Sequence, residues 1–256
     1  DYYCDWSSDV CSSDLWQSIF LALTVFSVMA AIAVAVGLPE TFPAHQPRQP
    51  LSGSLRRYID LLSDRVYLGY ALTGGISIAG MFAYIAGSPF VFIKLYGVPA
   101  EHYGWVFGSN AAGFILMAQV NARLLARRGP AFLLSRTVWL YMLAALALLG
   151  VAALRTDALW PLLVPLFICI ASLGCILPNT SACAMSGQGA RAGSASAMLG
   201  CIQFGVAAGA ASLVGVLHDG TAMPMAMVIS VCGVLAVTIG MSTQRLQRAR
   251  ALQAQV

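Results

Sequence analysis

The chain has 256 residues, 59% of them hydrophobic and only 9% charged, with a mean hydropathy of +0.78 and a formal net charge of +4. An ordinary soluble domain carries about 25% charged residues, so this composition excludes one and describes an integral membrane protein. The seven cysteines form no C-x-x-C pair, and the five in long apolar runs, Cys169, Cys175, Cys183, Cys201 and Cys232, read as small apolar packers, which argues against redox chemistry.

Residues 1–15, DYYCDWSSDVCSSDL, stand apart from the rest of the chain. They are polar, repeat Ser-Ser-Asp at 7–9 and 12–14, and lack the basic start and apolar centre of a signal peptide. The string resembles the translation of a short-read sequencing adapter and is set aside as non-native, which implies that the true N-terminus is missing. This removes four of the ten acidic residues (Asp1, Asp5, Asp9 and Asp14) and leaves the remainder a net charge of +8.

Seven runs free of Asp, Glu, Lys, Arg and His come next, at 15–39, 66–93, 103–122, 137–154, 158–190, 192–217 and 220–244. Each is long enough for a helix across roughly 30 Å of hydrocarbon, so the fold expected is an all-α membrane protein with seven transmembrane helices. The first helix, 16–38, is bland. Residues 39–65 form a linker punctuated by Pro39, Pro43, Pro47 and Pro50, in which Ser54 can cap a short helix. That helix would put Leu55, Tyr58, Ile59 and Leu62 on one face and Arg56, Arg57 and Asp60 on another; it suits a membrane surface or serves as a solvated connector. Residues 66–244 hold the other six helices and 245–256 the tail.

The second run is rich in glycine (Gly69, Gly74, Gly75, Gly80, Gly87), which calls for close packing or bending, and Pro89 is expected to kink its far end. The third carries Asn110 and Gln119 and leads into the basic string NARLLARRG at 121–129. In the fifth, Pro178 beside Asn179 frees a backbone carbonyl, tolerated at membrane depth only against protein or a wet cavity. The sixth carries small residues four apart, Ala197, Cys201, Gly205 and Gly209, a smooth face that lets a neighbouring backbone approach. Polarity along the seven runs reads low, high, high, low, high, high, low. A period of three suggests two three-helix units after a leading helix, the kind of repeat found in transporters.

If the runs alternate across the membrane, twelve of the fourteen basic residues fall on one side and only Lys94 and Arg155 on the other. The positive-inside rule makes the first side, with the C-terminus, cytoplasmic. Asp64, Glu101 and Asp219 lie near helix ends and read as caps or loop salt bridges. His45, His102 and His218 are isolated, so no metal site is expected. No phosphate-binding glycine loop, nucleophile elbow or HExxH is present, so neither a cofactor nor ATP is expected, and topology accounts for the basic loops without nucleic acid. An intramembrane enzyme would need converging catalytic groups at membrane depth, and the charge-free runs oppose it.

Several strings together carry a family resemblance: LPETF at 38–42, SPFVF at 88–92, YGVPAEHYGWVFGSNAAGFIL at 96–116, NARLL at 121–125, LPNTSACAM at 177–185, GSASAMLGCIQFG at 193–205 and LVGVLHDGTAMPMA at 213–226. Residues 16–243 resemble the Bcr/CflA, or bicyclomycin-resistance-type, drug-efflux family of the major facilitator superfamily. The resemblance implies twelve helices in two halves and export of small drugs or metabolites in exchange for protons across a bacterial inner membrane. This chain would be helix six, the central cytoplasmic loop and the C-terminal half, inactive on its own, with the proton-coupling acid in the missing N-terminal half. By the same resemblance, Asn121, Arg123, Arg127, Arg128 and Gly129 match the superfamily's basic gating motif, with Leu125 or Ala126 where an acid is usual. The cavity-lining candidates are Tyr84, Asn110, Asn179, Gln203 and Phe204. Each amide among them either bonds a neighbouring helix or faces a wet path; the two rings either stack on a flat substrate or pack as anchors.

Overall fold

The computed structural model describes residues 6–37, 54–156 and 158–253, and no strand occurs among them. Eight helices run in order: α1 (Trp6–Gly37), α2 (Ser54–Ser63), α3 (Arg65–Pro89), α4 (Ala100–Arg128), α5 (Pro130–Leu154), α6 (Trp160–Met185), α7 (Ala192–Val216) and α8 (Met223–Gln253). The proline-rich part of the linker, 38–53, lies outside the described residues. The chain divides into two units, Asp1–Pro50 and Leu51–Val256. The first holds α1, whose backbone is helical from Trp6 through the segment set apart above, and whose stretch Gln17–Gly37 is apolar enough to cross a membrane.

Six helices meet that requirement of length and composition, with Arg65–Leu95, Pro130–Leu154, Trp160–Met185, Ala192–Val216 and Met223–Gln253 supplying the other five. Six of the seven expected spans thus meet it. The run at 103–122 does become a helix, α4, but Ser109, Asn110, Gln119 and Asn121 together with Gly104, Gly108 and Gly113 dilute its apolar content.

Helix boundaries follow local chemistry. Asp64 caps α3, its Oδ1 accepting from the Val66 N–H at 3.1 Å. The helix is not broken at Pro89 but continues as a wide π-turn over Phe90–Leu95, and the chain reverses at Gly97 with φ 65°. Gly129, at φ 71°, turns α4 into α5, which opens on Pro130, where a missing N–H costs nothing. The run 158–190 stops being α-helical at Met185, and a 3₁₀ turn at Gly189–Arg191 leads into α7. At the other extreme α8 carries on through the expected tail to Gln253.

The second unit is assembled by exchange. α3 packs on α7, α8 and α6; α6 packs on α4, α5 and α3; α5 and α8 pack on each other. Swapping α3, α4 and α5 for α6, α7 and α8 exchanges α3–α7 with α6–α4 and α3–α8 with α6–α5 and leaves α3–α6 and α5–α8 unchanged, so the two three-helix units interlock rather than sit side by side. The largest fully buried side chains of the bundle are Tyr67, Tyr70, Tyr84, Tyr141 and Phe92, with a set of leucines.

Glycines set how closely the helices approach. A Cβ at Gly174 of α6 would overlap the Phe114 carbonyl of α4, and one at Gly80 would overlap the Tyr141 hydroxyl. A Cβ at Gly75 would lie 3.3 Å from the Gln203 Cα of α7. The carbonyl that Pro178 deprives of its helical donor is that of Gly174, four residues earlier, so the freed backbone group sits where α4 comes closest.

The expected smooth face of α7 is not used within the bundle. Ala197, Cys201, Gly205 and Gly209 are all exposed, with open space where a Cβ at either glycine would be. α7 packs through Ala195, Leu199, Ala207 and Val214 instead, and its Ile202 and Gln203 lie against Gly74 and Gly75 of α3. The linker helix α2 also differs: Leu61 is buried and Tyr58 half-buried, so this face meets α3 and α7, leaving Ile59 and Leu62 exposed.

Candidate functional site

Two polar fasteners hold α4. Toward its start, the buried Asn110 donates through Nδ2 to the Tyr84 hydroxyl of α3 at 3.1 Å and to its own helix at the Val106 carbonyl, 3.2 Å. Phe107 stacks on Tyr84 with centroids 5.7 Å apart and planes 15° from parallel. The neighbouring Tyr103 shares a 2.8 Å hydrogen bond with Ser88 of α3. Tyr84 and Asn110 thus share one aromatic and hydroxyl seam between α3 and α4.

About three turns further along α4, Asn179 of α6 donates to Asn121 Oδ1 at 2.6 Å and to the Cys175 carbonyl at 2.8 Å. The Cys175 thiol donates to the same Asn121 oxygen, and Thr137 of α5 donates to the Cys175 sulfur, both at 3.1 Å. Asn179 is fully buried, and its Oδ1 is the one atom of its amide without a partner among the described residues. Asn121, expected as the first residue of the gating string, is therefore 5% exposed inside a network that ties α4, α5 and α6. Its sequence separation from Asn179 left no signal of this pairing.

Gln203 and Phe204 lie on α7. Gln203 is half-buried against Gly74 and Gly75 of α3, whereas Phe204 is 59% exposed and meets Phe82 edge-on, with centroids 6.1 Å apart. The structure accordingly separates the five candidates into three places: Tyr84 with Asn110, Asn179 with Asn121, and Gln203 with Phe204. Phe82 and Phe107 carry no signal in the sequence, since lone phenylalanines in an apolar run look like any packing residue.

At the end where the basic residues gather, Arg123, Arg127 and Arg128 are exposed and Gly129 forms the turn. The described ion pair at this end lies elsewhere, between Arg250 Nη1 and Asp64 Oδ1 at 3.0 Å. Gln188, in the turn before α7, donates to the other Asp64 oxygen at 3.2 Å. Burial pushes the Asp64 carboxyl up, but the hydrogen bond from Arg250, the Val66 N–H and the Arg250 charge together hold it below its ordinary value.

A multi-pass bundle of two interlocked three-helix units, with amides bonded at membrane depth, is the build of a membrane transport protein. The chain belongs to the Major Facilitator Superfamily, whose sequence profile it matches over residues 4–212, beginning within the segment set apart above. Members of this superfamily move small solutes and are normally not enzymes. Among curated proteins, the chain is 34% identical to the uncharacterized MFS-type transporter YdgK of Bacillus subtilis, over 86% of this chain and 54% of that protein. It is 28% identical to the bicyclomycin resistance protein homolog of Haemophilus influenzae, over 87% of this chain and 56% of that one. A shorter match, 27% identical over 117 residues, is to the multidrug transporter MdfA of Edwardsiella ictaluri, covering 44% and 28% of the two. The chain spans about half the length of the first two relatives.

Proposed function

We propose that this chain is the C-terminal part of a secondary active exporter of small drugs or metabolites, coupled to protons, in the inner membrane of a bacterium. In this reading α1 is the sixth helix of a twelve-helix protein and α3 to α8 are the C-terminal six, with α4 counted as a span despite its polarity. The basic end faces the cytoplasm, as does the C-terminus. The observation that carries the reading is the exposure of α4 and α7. α4 buries only Asn110, Gly113 and Asn121, and α7 only Ala195, Leu199, Ala207 and Val214. Two spans so sparsely covered need a further partner, and the N-terminal half of the relatives' length is the natural one. The names of two relatives, a bicyclomycin resistance protein homolog and a multidrug transporter, favour drug export.

Within this reading the Asn110–Tyr84 and Asn179–Asn121 pairs hold helices, and Gln203, Phe204 and Phe82 offer substrate an amide beside two rings. The coupling acid belongs to the N-terminal half. The test is to recover the upstream reading frame by long-read sequencing and express the complete protein in an exporter-deficient strain. Accumulation of a phenicol should fall relative to cells making this chain alone, and a protonophore should restore it. Equal accumulation in the two strains would overturn the proposal.

A further inference from the structure

At the end of α4 and the start of α5, Arg123, Arg127 and Arg128 line a groove of about 640 Å³ with Leu124, Phe132 and Leu133. Phe132 gathers charge from both helices: the guanidinium carbon of Arg128 lies 5.1 Å from its ring centroid and that of Arg136 5.6 Å. Cation–π attraction holds each guanidinium to the ring, but it also brings two like charges together. No carboxylate among the described residues pairs with any of these four arginines. An arrangement of this kind is relieved by an anion with several acceptor oxygens, and planar guanidinium groups match phosphate in particular.

The surroundings say which phosphate. Phe132 and Leu124 are 40% and 43% exposed, and Trp139 and Leu140, two turns along α5 from Phe132, are 45% and 43% exposed. They continue the face of Phe132 and Arg136 toward the middle of the span. A soluble phosphate has no use for that strip, whereas an acyl chain does. Basic pockets between membrane helices are suited to anionic headgroups.

We propose that this groove is a binding site for an anionic phospholipid, with the headgroup phosphate on Arg128 and Arg136 and an acyl chain along Phe132, Trp139 and Leu140. The proposal rests on α5 spanning the membrane, not on what the protein transports. It assigns the basic string a lipid ligand in place of a carboxylate partner.

The test uses the full chain, delipidated in detergent and titrated with dioleoylphosphatidylglycerol while bound lipid is counted by native mass spectrometry. One molecule should be retained in preference to dioleoylphosphatidylcholine. Arg128→Gln with Arg136→Gln should weaken retention by about thirtyfold, as loss of two surface arginines implies. Phe132→Ala should weaken it less, and the paired lysine variant should recover part of the affinity. The substituted side chains are exposed, so a distant exposed change, Lys94→Gln at the opposite end of the bundle, serves as the control and should bind as the parent does. Undiminished binding in the double glutamine variant, or equal retention of the two lipids, would overturn the proposal. Displacement by millimolar inorganic phosphate would overturn its lipid assignment, and so would failure of the lipid to bind once the complete protein supplies a carboxylate to these arginines.

Discussion

α4 and α7 hold equivalent places in the two three-helix units, yet they are attached in opposite ways. α4 is too polar to qualify as a span by composition and is held by directional bonds, Asn110 to Tyr84 and Asn121 to Asn179. α7 is apolar and is held mainly by shape, with Leu199, Ala207 and Val214 buried and the backbone near Gln203 laid against Gly75, plus one hydrogen bond near its start from the Tyr67 hydroxyl to the Ala195 carbonyl at 2.6 Å. A polar helix in lipid has to place each amide on a partner, which sets its rotation and height. A helix held mainly by packing needs fewer such register points and can keep its opposite face of small residues free. One geometric problem thus has two solutions in the same bundle, a helix pinned along its length and a helix seated in a groove.

The largest effect is expected where α4 comes closest. Gly174→Leu would drive a side chain into the Phe114 carbonyl and the Ala118 amide, which are backbone and cannot rotate away. The change should cost more than about 3 kcal/mol, the range of severe overpacking, and the purified chain should lose its monodisperse peak in detergent. Gly205→Leu on α7 meets open space and should stay within about 0.5 kcal/mol of the parent. Similar melting of the two variants would erase the distinction between the helices.

A smaller loss is expected at the amide pair. Asn179→Leu removes the donors to Asn121 and to the Cys175 carbonyl while leaving Asn121 in the contact. Side-chain hydrogen bonds between membrane helices contribute about 0.6 kcal/mol on average and about 1.7 at most, so the variant should be destabilised by about 1 kcal/mol. A double-mutant cycle with Asn121→Leu measures the coupling directly. A coupling energy of zero would mean that α4 is not pinned at this level.

The helices are legible in the sequence because hydrocarbon demands long uncharged runs, and α3 and α5 to α8 appear close to where those runs lie. The departures have physical causes. An uncharged run does not separate helix from turn, so SGQGA at 186–190 reads as part of α6 although it only lacks charge. Charge does not end a helix that has left the membrane, so α8 runs on past Arg245. The four-residue spacing on α7 shows that one face is smooth, not which neighbour meets it; the tight approaches lie at Gly75 and Gly174 instead. Tyr84, Asn110 and Asn179 are recognisable as polar groups needing an explanation, but their partners come from other helices and depend on the fold. The pairing of Asn121 with Asn179 and the two guanidiniums on Phe132 belong to the same category.

The smallest effect concerns a polar tie that reaches toward α7 from outside the membrane. Asp64 receives Arg250 from the end of α8 and Gln188 from the turn preceding α7, joining three segments at the start of α3. Its carboxyl is held below its ordinary value of 3.8, so ionisation favours the folded state. That contribution is complete above the unfolded value and is lost as the pH falls through the lower folded one. Arg250 is 49% exposed and the Asp64 side chain 28% exposed, so solvent screens the pair and the contribution should be below about 1 kcal/mol. Asp64→Asn should therefore melt slightly below the parent at about pH 7, approach it as pH drops below the carboxylate range, and approach it again in high salt. A difference that survives undiminished in acid and in salt would show that Asp64 does not act through its charge. The outcome bears on the contrast between the helices, because α4 is tied midway along its length, where salt has no access, and α7 only near its start, through the buried Tyr67–Ala195 bond and through its preceding turn, where salt does reach.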